Sequence, residues 1–172
     1  GYTANTLDDT AASGGILRLD VEELALLRLD ETALIKNKSV ARGAYGEVFL
    51  GQYKGETVAI KCLLPGKNSA TDVKFLIEEI KITHQLDCPY IVKTLGASWQ
   101  TISSIEMVVE WMDKGDLKNV LDQTKSATPQ ENSTTFTWRE KIESLLCISE
   151  GLVYLHSLDI IHRDLTFCSI LS

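Results

Sequence analysis

Val58-Ala59-Ile60-Lys61 decides how this chain is read. Three apolar residues run straight into a lysine, inside a strand expected from Thr57 to Leu64 and ended by Pro65-Gly66. An ammonium group in an apolar strand is costly to bury unless its charge is paired, and its natural partners are a phosphate and a carboxylate. Just before this strand, Lys54-Gly55-Glu56 reads as a hairpin turn, and Val48, Leu50 and their neighbours read as β-rich from Ile35 onward. Further back lies Val40-Ala41-Arg42-Gly43-Ala44-Tyr45-Gly46-Glu47-Val48. Glycines there let backbone N–H groups approach phosphate oxygens. Taken singly, the lysine is a snorkelling surface residue and the glycine stretch an ordinary hairpin.

After the lysine strand, residues 72–86 read as a helix, with Asp72 in its first turn and Leu76, Ile77, Ile80 and Leu86 at helical spacing. Glu79, or alternatively Glu78, can offer Lys61 a carboxylate from this helix. Thr94–Trp99 and Ser104–Val109 read as two more strands. The second leads through Glu110-Trp111-Met112-Asp113-Lys114-Gly115 to Asp116, which caps a short helix bearing Leu117, Val120 and Leu121. Residues 122–135 form a polar loop around Pro129. Thr137 and Glu140 make a capping box for a helix bearing Ile142, Leu145, Leu146, Leu152 and Val153, which ends near His156-Ser157. Ile160-Ile161 looks strand-like and leads into Ile161-His162-Arg163-Asp164-Leu165, where Asp164 is a candidate acceptor for a hydroxyl proton. At the other end, residues 1–15 are polar, and the Asp20/Glu23 spacing predicts a brief helix from Val21 to Leu27.

The 172 residues, 44% of them hydrophobic, suffice for one domain or part of a larger one. A net charge of −7 argues against a general nucleic-acid binder. The acidity is concentrated in residues 1–35, where Arg18 and Arg28 face seven acidic residues. Cys62, Cys88, Cys147 and Cys168 are scattered, so neither a zinc site nor a disulfide framework is indicated, and reduced thiols suit the cytoplasm. No apolar run is long enough to span a membrane and no signal peptide is visible. Gly66-Lys67 lacks the upstream glycine of a P-loop.

Glycine loop, V-A-I-K, helix with glutamate, hinge and H-R-D-L stand in the order and spacing of the kinase signature set. From about Val40 to Leu165 the sequence resembles the eukaryotic protein kinases. Gly43-Ala44-Tyr45-Gly46 and the phrase Gly151–Asp164 look most like the tyrosine-kinase-like branch of Ser/Thr kinases. The resemblance implies an α+β fold: an N-lobe with a five-stranded antiparallel sheet and one regulatory helix, then the first helices of a C-lobe. It places a flexible acidic lead at 1–34 and a partial kinase domain at 35–172, with N-lobe about 35–109, hinge about 110–115 and C-lobe start at 116–172. It implies ATP and Mg2+ as cofactors. Val40, Ala41, Gly43, Ala44, Tyr45 and Gly46 would form the phosphate-covering loop, and Val48 and Ala59 the adenine walls. Lys61 would hold the α/β-phosphates, oriented by Glu79, which fits the family spacing to Cys88-Pro89-Tyr90 better than Glu78. Val109 would be the gatekeeper, Glu110 and Met112 the adenine-binding hinge, Asp116 a ribose contact and Asp164 the catalytic aspartate.

Three departures bear on activity. Ala41 replaces the first loop glycine, a mild change. Ser169 stands where the family has a magnesium-binding Asn, and Thr166 where Ser/Thr kinases carry a lysine, so no metal ligand is assigned. The chain stops eight residues after Asp164, before any Asp-Phe-Gly, and Gly1 is not a natural start. The expectation is an incomplete and inactive piece of a kinase whose parent phosphorylates Ser or Thr of proteins. The alternative is a pseudokinase-like module that binds nucleotide or docks on a partner kinase. Membrane attachment, if any, would belong to a part before Gly1. The resemblance also predicts that the apolar face of helix 138–156 lacks its usual cover, leaving an exposed patch.

Overall fold

The computed structural model describes residues 22–44, 46–125 and 136–161. The acidic lead before residue 22, Tyr45, the loop 126–135, and His162 onward, with Asp164, Thr166 and Ser169, lie outside the described residues. The chain divides into two compact units, one running to Gln85 and resuming at Lys93–Glu110, the other formed by Leu86–Val92 and Trp111 onward.

The first unit is a five-stranded antiparallel sheet with one long helix, the α+β arrangement that the resemblance implies for an N-lobe. Its strands are β1 (Leu34–Arg42), β2 (Gly46–Tyr53), β3 (Glu56–Leu63), β4 (Thr94–Ser98) and β5 (Glu106–Glu110), in the spatial order β1-β2-β3-β5-β4. The β2–β3 hairpin closes on Lys54-Gly55, both with positive φ, and Tyr53 pairs with Glu56. That is the two-residue turn whose twist matches its strands. Glu56, read from sequence as part of the turn, is the first residue of β3.

Alternation along β3 and β5 sorts their side chains onto two faces. Val58, Ile60 and Val108 fill a small cluster on one. Met107 faces the other way, into the main core formed with α1 (Ala70–His84), and Val109 packs against that core. Lys61 pairs in register with Met107 and shares its parity, so it emerges on the side of the sheet that α1 covers.

Helix α1 begins two residues earlier than the sequence spacing predicts, because Ser69 and Asp72 form a capping box: Asp72 N–H donates to Ser69 Oγ at 3.2 Å and Ser69 N–H to Asp72 at 3.1 Å. It ends at His84, leaving Leu86 outside. Val73, Leu76, Ile77 and Ile80 form its buried stripe. Lys81 and His84 in the last turn suit the negative end of the helix dipole.

Residues 22–33, part of the lead in the sequence reading, are ordered against this unit. A helical turn at residues 22–24 runs into a 3-10 turn at Ala25–Leu27, and Leu24 is fully buried in the main core. Once an apolar side chain finds a hydrophobic seat, polar neighbours no longer keep the segment in solvent.

In the second unit, α2 (Leu117–Lys125) is capped by Asp116, whose two carboxylate oxygens accept from the N–H and the side-chain amide of Asn119, each at 2.7 Å. Helix α3 (Trp138–Ser157) opens on the Thr137/Glu140 capping box. It meets residues 86–92 through Gly151, which sits against Tyr90, and Tyr154, whose hydroxyl accepts from Asp87 N–H at 3.0 Å. Trp138, Ile142, Leu145, Leu146 and Val153 are each more than half exposed. Ile160 and Ile161 form no strand: they follow a turn with Asp159 at φ 58°, and Ile160 N–H donates to Leu155 O. Among the described residues no strand pairs with them, so this apolar pair has no ladder to join.

Candidate functional site

The site residues of the first unit gather where the glycine turn, β3 and α1 meet. Lys61 Nζ donates to both oxygens of Glu79, at 2.5 and 2.7 Å. Glu78, one position away, turns about 100° around the helix and lies near Lys74, at 3.9 Å. Helix phase thus selects Glu79.

Beside the pair lies a pocket of about 370 Å³, lined by Gly46, Lys61, Leu63, Asp72, Phe75, Leu76 and Glu79 among others. Asp72, Phe75 and Glu79 sit at i, i+3 and i+7, one face of α1. Sequence reasoning singled out only Glu79 from this face. The spacing that marked α1 as a helix also places Phe75 and Asp72 next to it.

The glycine turn is closed by Gly43 N–H donating to Gly46 O at 2.8 Å. Gly46 is required here by the sheet itself, since a Cβ would stand 2.9 Å from the Cys62 carbonyl oxygen. At Gly43 the nearest atom would be 3.9 Å away, so that position is open. Val40 and Ala41 lie on β1, with Ala41 opposite Val48. Val48 in turn stands opposite Lys61, and Ala59 stands between Leu50 and Val109. Val48, Ala59 and Val109 are therefore neighbours across three adjacent strands. Glu110 ends β5: its N–H donates to Lys93 O at 3.0 Å and its carboxylate accepts from Lys93 N–H at 2.6 Å.

Met112 and Asp116 belong to the second unit. Met112 O accepts from Gly115 N–H at 3.1 Å, forming a turn before α2, and Asp116 is that helix's cap.

Energetically the ion pair is a minor structural element. Both side chains are 40% exposed. A pair that open to water contributes about 0.2–1 kcal/mol, whereas each large side chain buried along α1 contributes about 1.5–3 kcal/mol. The apolar stripe positions the helix, and the charges are left free to meet a ligand.

The opposite face of β3 is chemically quiet. The Cys62 thiol is pushed up to about 11 by burial and then by the Glu106 carboxylate, to which it donates at 3.6 Å. Burial lowers the pKa of Lys36, but its bond to Glu106 together with the charges of Cys62 and Glu106 outweighs burial, and the pKa is raised. Among the described residues no group of three or more His, Cys, Asp or Glu is placed to hold a metal ion. No helix among them is long and apolar enough to cross a membrane.

Residues 34–171 match the family model described as protein tyrosine and serine/threonine kinase. The chain belongs to the protein kinase family. This kinase chain is 35% identical over 136 residues to a putative serine/threonine-protein kinase/receptor, R826, of Acanthamoeba polyphaga mimivirus, covering 78% of this chain and 8% of the relative. It is 28% identical over 167 residues to the probable protein kinase At2g41970 of Arabidopsis thaliana, covering 94% and 45%. With the serine/threonine-protein kinase STY17 of the same plant it shares 31% over 143 residues, covering 83% and 24%. The kinase chain thus spans less than half the length of these relatives.

Proposed function

We propose that this kinase domain binds ATP and serves transfer of its γ-phosphate to Ser or Thr hydroxyls of proteins, within the tyrosine-kinase-like branch. The observation that carries the reading is the two-oxygen contact between Lys61 and Glu79 on the pocket that Gly46 borders. A lysine fixed by a carboxylate, yet open to water, presents its remaining N–H to a phosphate oxygen. Lys61 would hold the α/β-phosphates and Glu79 orient it. Val48, Ala59 and Val109 would wall the adenine, with the backbone of Glu110 and Met112 reading its edge and Asp116 meeting the ribose. Asp164 would accept the hydroxyl proton of the substrate. Magnesium, when bound with ATP, neutralises phosphate charge. The family's Asn ligand is Ser169 here, a shorter side chain with a hydroxyl in place of the amide oxygen, so the chain fits ATP better than it fits the metal. The free thiols of Cys62, Cys88 and Cys147 favour a cytoplasmic setting.

Ser169 and Thr166 also favour a second reading, a nucleotide-binding or kinase-docking module without transfer. One experiment separates the two. The full-length protein is titrated with ATP, then incubated with γ-labelled ATP, a generic Ser/Thr protein substrate, and magnesium or manganese. Binding with transfer supports the enzyme, and binding without transfer in either metal supports the module. Absence of ATP binding defeats the enzyme and the nucleotide-binding form of the module, leaving only docking on a partner kinase.

A further inference from the structure

Residues 22–29 are joined to α1, the helix that carries Glu79, and to β4 of the sheet that holds Lys61. At one end, Leu24 is fully buried in the cluster that contains Val73, Leu76, Ile77 and Ile80, the stripe of α1 adjacent to Glu79. Glu23 forms an ion pair with Lys81, two residues beyond Glu79. At the other end the segment is fixed to the sheet. Leu29 N–H donates to Ala97 O at 2.8 Å, and Arg28 makes an isolated parallel bridge with Ala97. The Arg28 guanidinium donates to Trp99 O at 2.8 Å and lies over the Trp99 ring, 4.7 Å from its centroid. Gly96 leaves the room this needs, since a Cβ there would stand 2.3 Å from Leu27 O.

We propose that residues 22–29 are a strap that ties α1 to the sheet and thereby sets the Glu79–Lys61 pairing, with Leu24 as its positioning residue. Lys61 is built into the sheet, and Glu79 rides on the helix. The exposed ion pair is too weak to hold a helix in place, so its geometry follows from whatever fixes α1. Four helix residues supply one side of that contact, and the strap is a further, separate piece of chain on the same stripe. A partner or modification that lifts residues 22–29 would separate Glu79 from Lys61 without touching either. The effect on nucleotide rests on the ATP-binding reading above; the mechanical link does not.

The test uses the whole chain. Amide hydrogen exchange is followed by mass spectrometry in the wild type, Leu24→Ala, Leu24→Met and Arg28→Ala. The last variant keeps the core intact should Leu24→Ala fail to fold. Expected is exchange about 10-fold faster across 70–84 in Leu24→Ala and Arg28→Ala, unchanged exchange in the 46–63 hairpin, and wild-type behaviour in Leu24→Met. Equal acceleration in helix and hairpin, or none in either, overturns the strap. In parallel, ATP and adenosine are titrated. Expected is ATP affinity about 5- to 10-fold weaker with adenosine unchanged, since only ATP needs the oriented lysine. A loosened helix with unaltered ATP affinity overturns the link to the pair. A wild type that binds no ATP defeats the functional reading, and the exchange data still decide the strap.

Discussion

Replacing Lys61 with methionine separates the two roles a strand lysine can have. Methionine keeps most of the aliphatic stem and removes the charge. With both members of the Lys61–Glu79 pair 40% exposed, the lost attraction is about 0.2–1 kcal/mol, which lowers the melting temperature by only a few degrees. A charge-assisted bond to a phosphate is worth about 1.5–3 kcal/mol, so ATP affinity should fall about 10- to 150-fold. Adenosine has no phosphate and should bind as before. Calorimetric titration with both ligands, beside a thermal melt, makes the comparison. Equal losses for ATP and adenosine, or none for ATP, would refute the assignment of Lys61 to the phosphates. A melt lowered by several kcal/mol would instead show that the pair is structural.

Gly46→Ala should lose about 1–3 kcal/mol in a denaturant melt, because its methyl meets the β3 backbone at Cys62, while Gly43→Ala should be close to neutral. Glu140 is held below the ordinary glutamate value of 4.5 by bonds from the Thr137 N–H and then its hydroxyl. Its stabilising effect should therefore be present above about pH 4.5 and disappear as pH falls through the lowered value, so melts of wild type and Glu140→Gln should converge in acid. Cys62, at about 11 against 9.0 for an ordinary thiol, should react with iodoacetamide at pH 8 about 100-fold more slowly than a free thiol, and Glu106→Gln should speed it.

The strand order of motifs was visible in the chain because each is local. Val58-Ala59-Ile60-Lys61 is an apolar run ending in a lysine, and α1 has its own apolar stripe, so the strand, the helix and the pairing candidates could be read locally, while the five-stranded sheet came from the resemblance. What the sequence left open was settled by contact. Glu78 and Glu79 are separated only by helix phase relative to β3. Asp116 shows its capping role in the structure, whereas its ribose role came from resemblance alone. The start of α1 moved because Ser69 is a better cap than the apolar pattern reveals. Leu24 was seen as part of a small helix, but its seat is built from residues about 50 or more positions later, which no local pattern reports. Ile160-Ile161 has strand composition but no partner strand among the described residues, and composition without a ladder does not make a sheet.

The stacking of Arg28 on Trp99 gives the molecule a built-in optical gauge. An indole's emission responds to a cation above its ring and to the water around it. Trp99 is nearly buried and lies under a guanidinium, while Trp138 is largely exposed. With Trp111 and Trp138 replaced by phenylalanine, the remaining emission would report whether the leading segment is seated, in real time and without a label. The residue that anchors the segment is thus also the one that can reveal when it lets go.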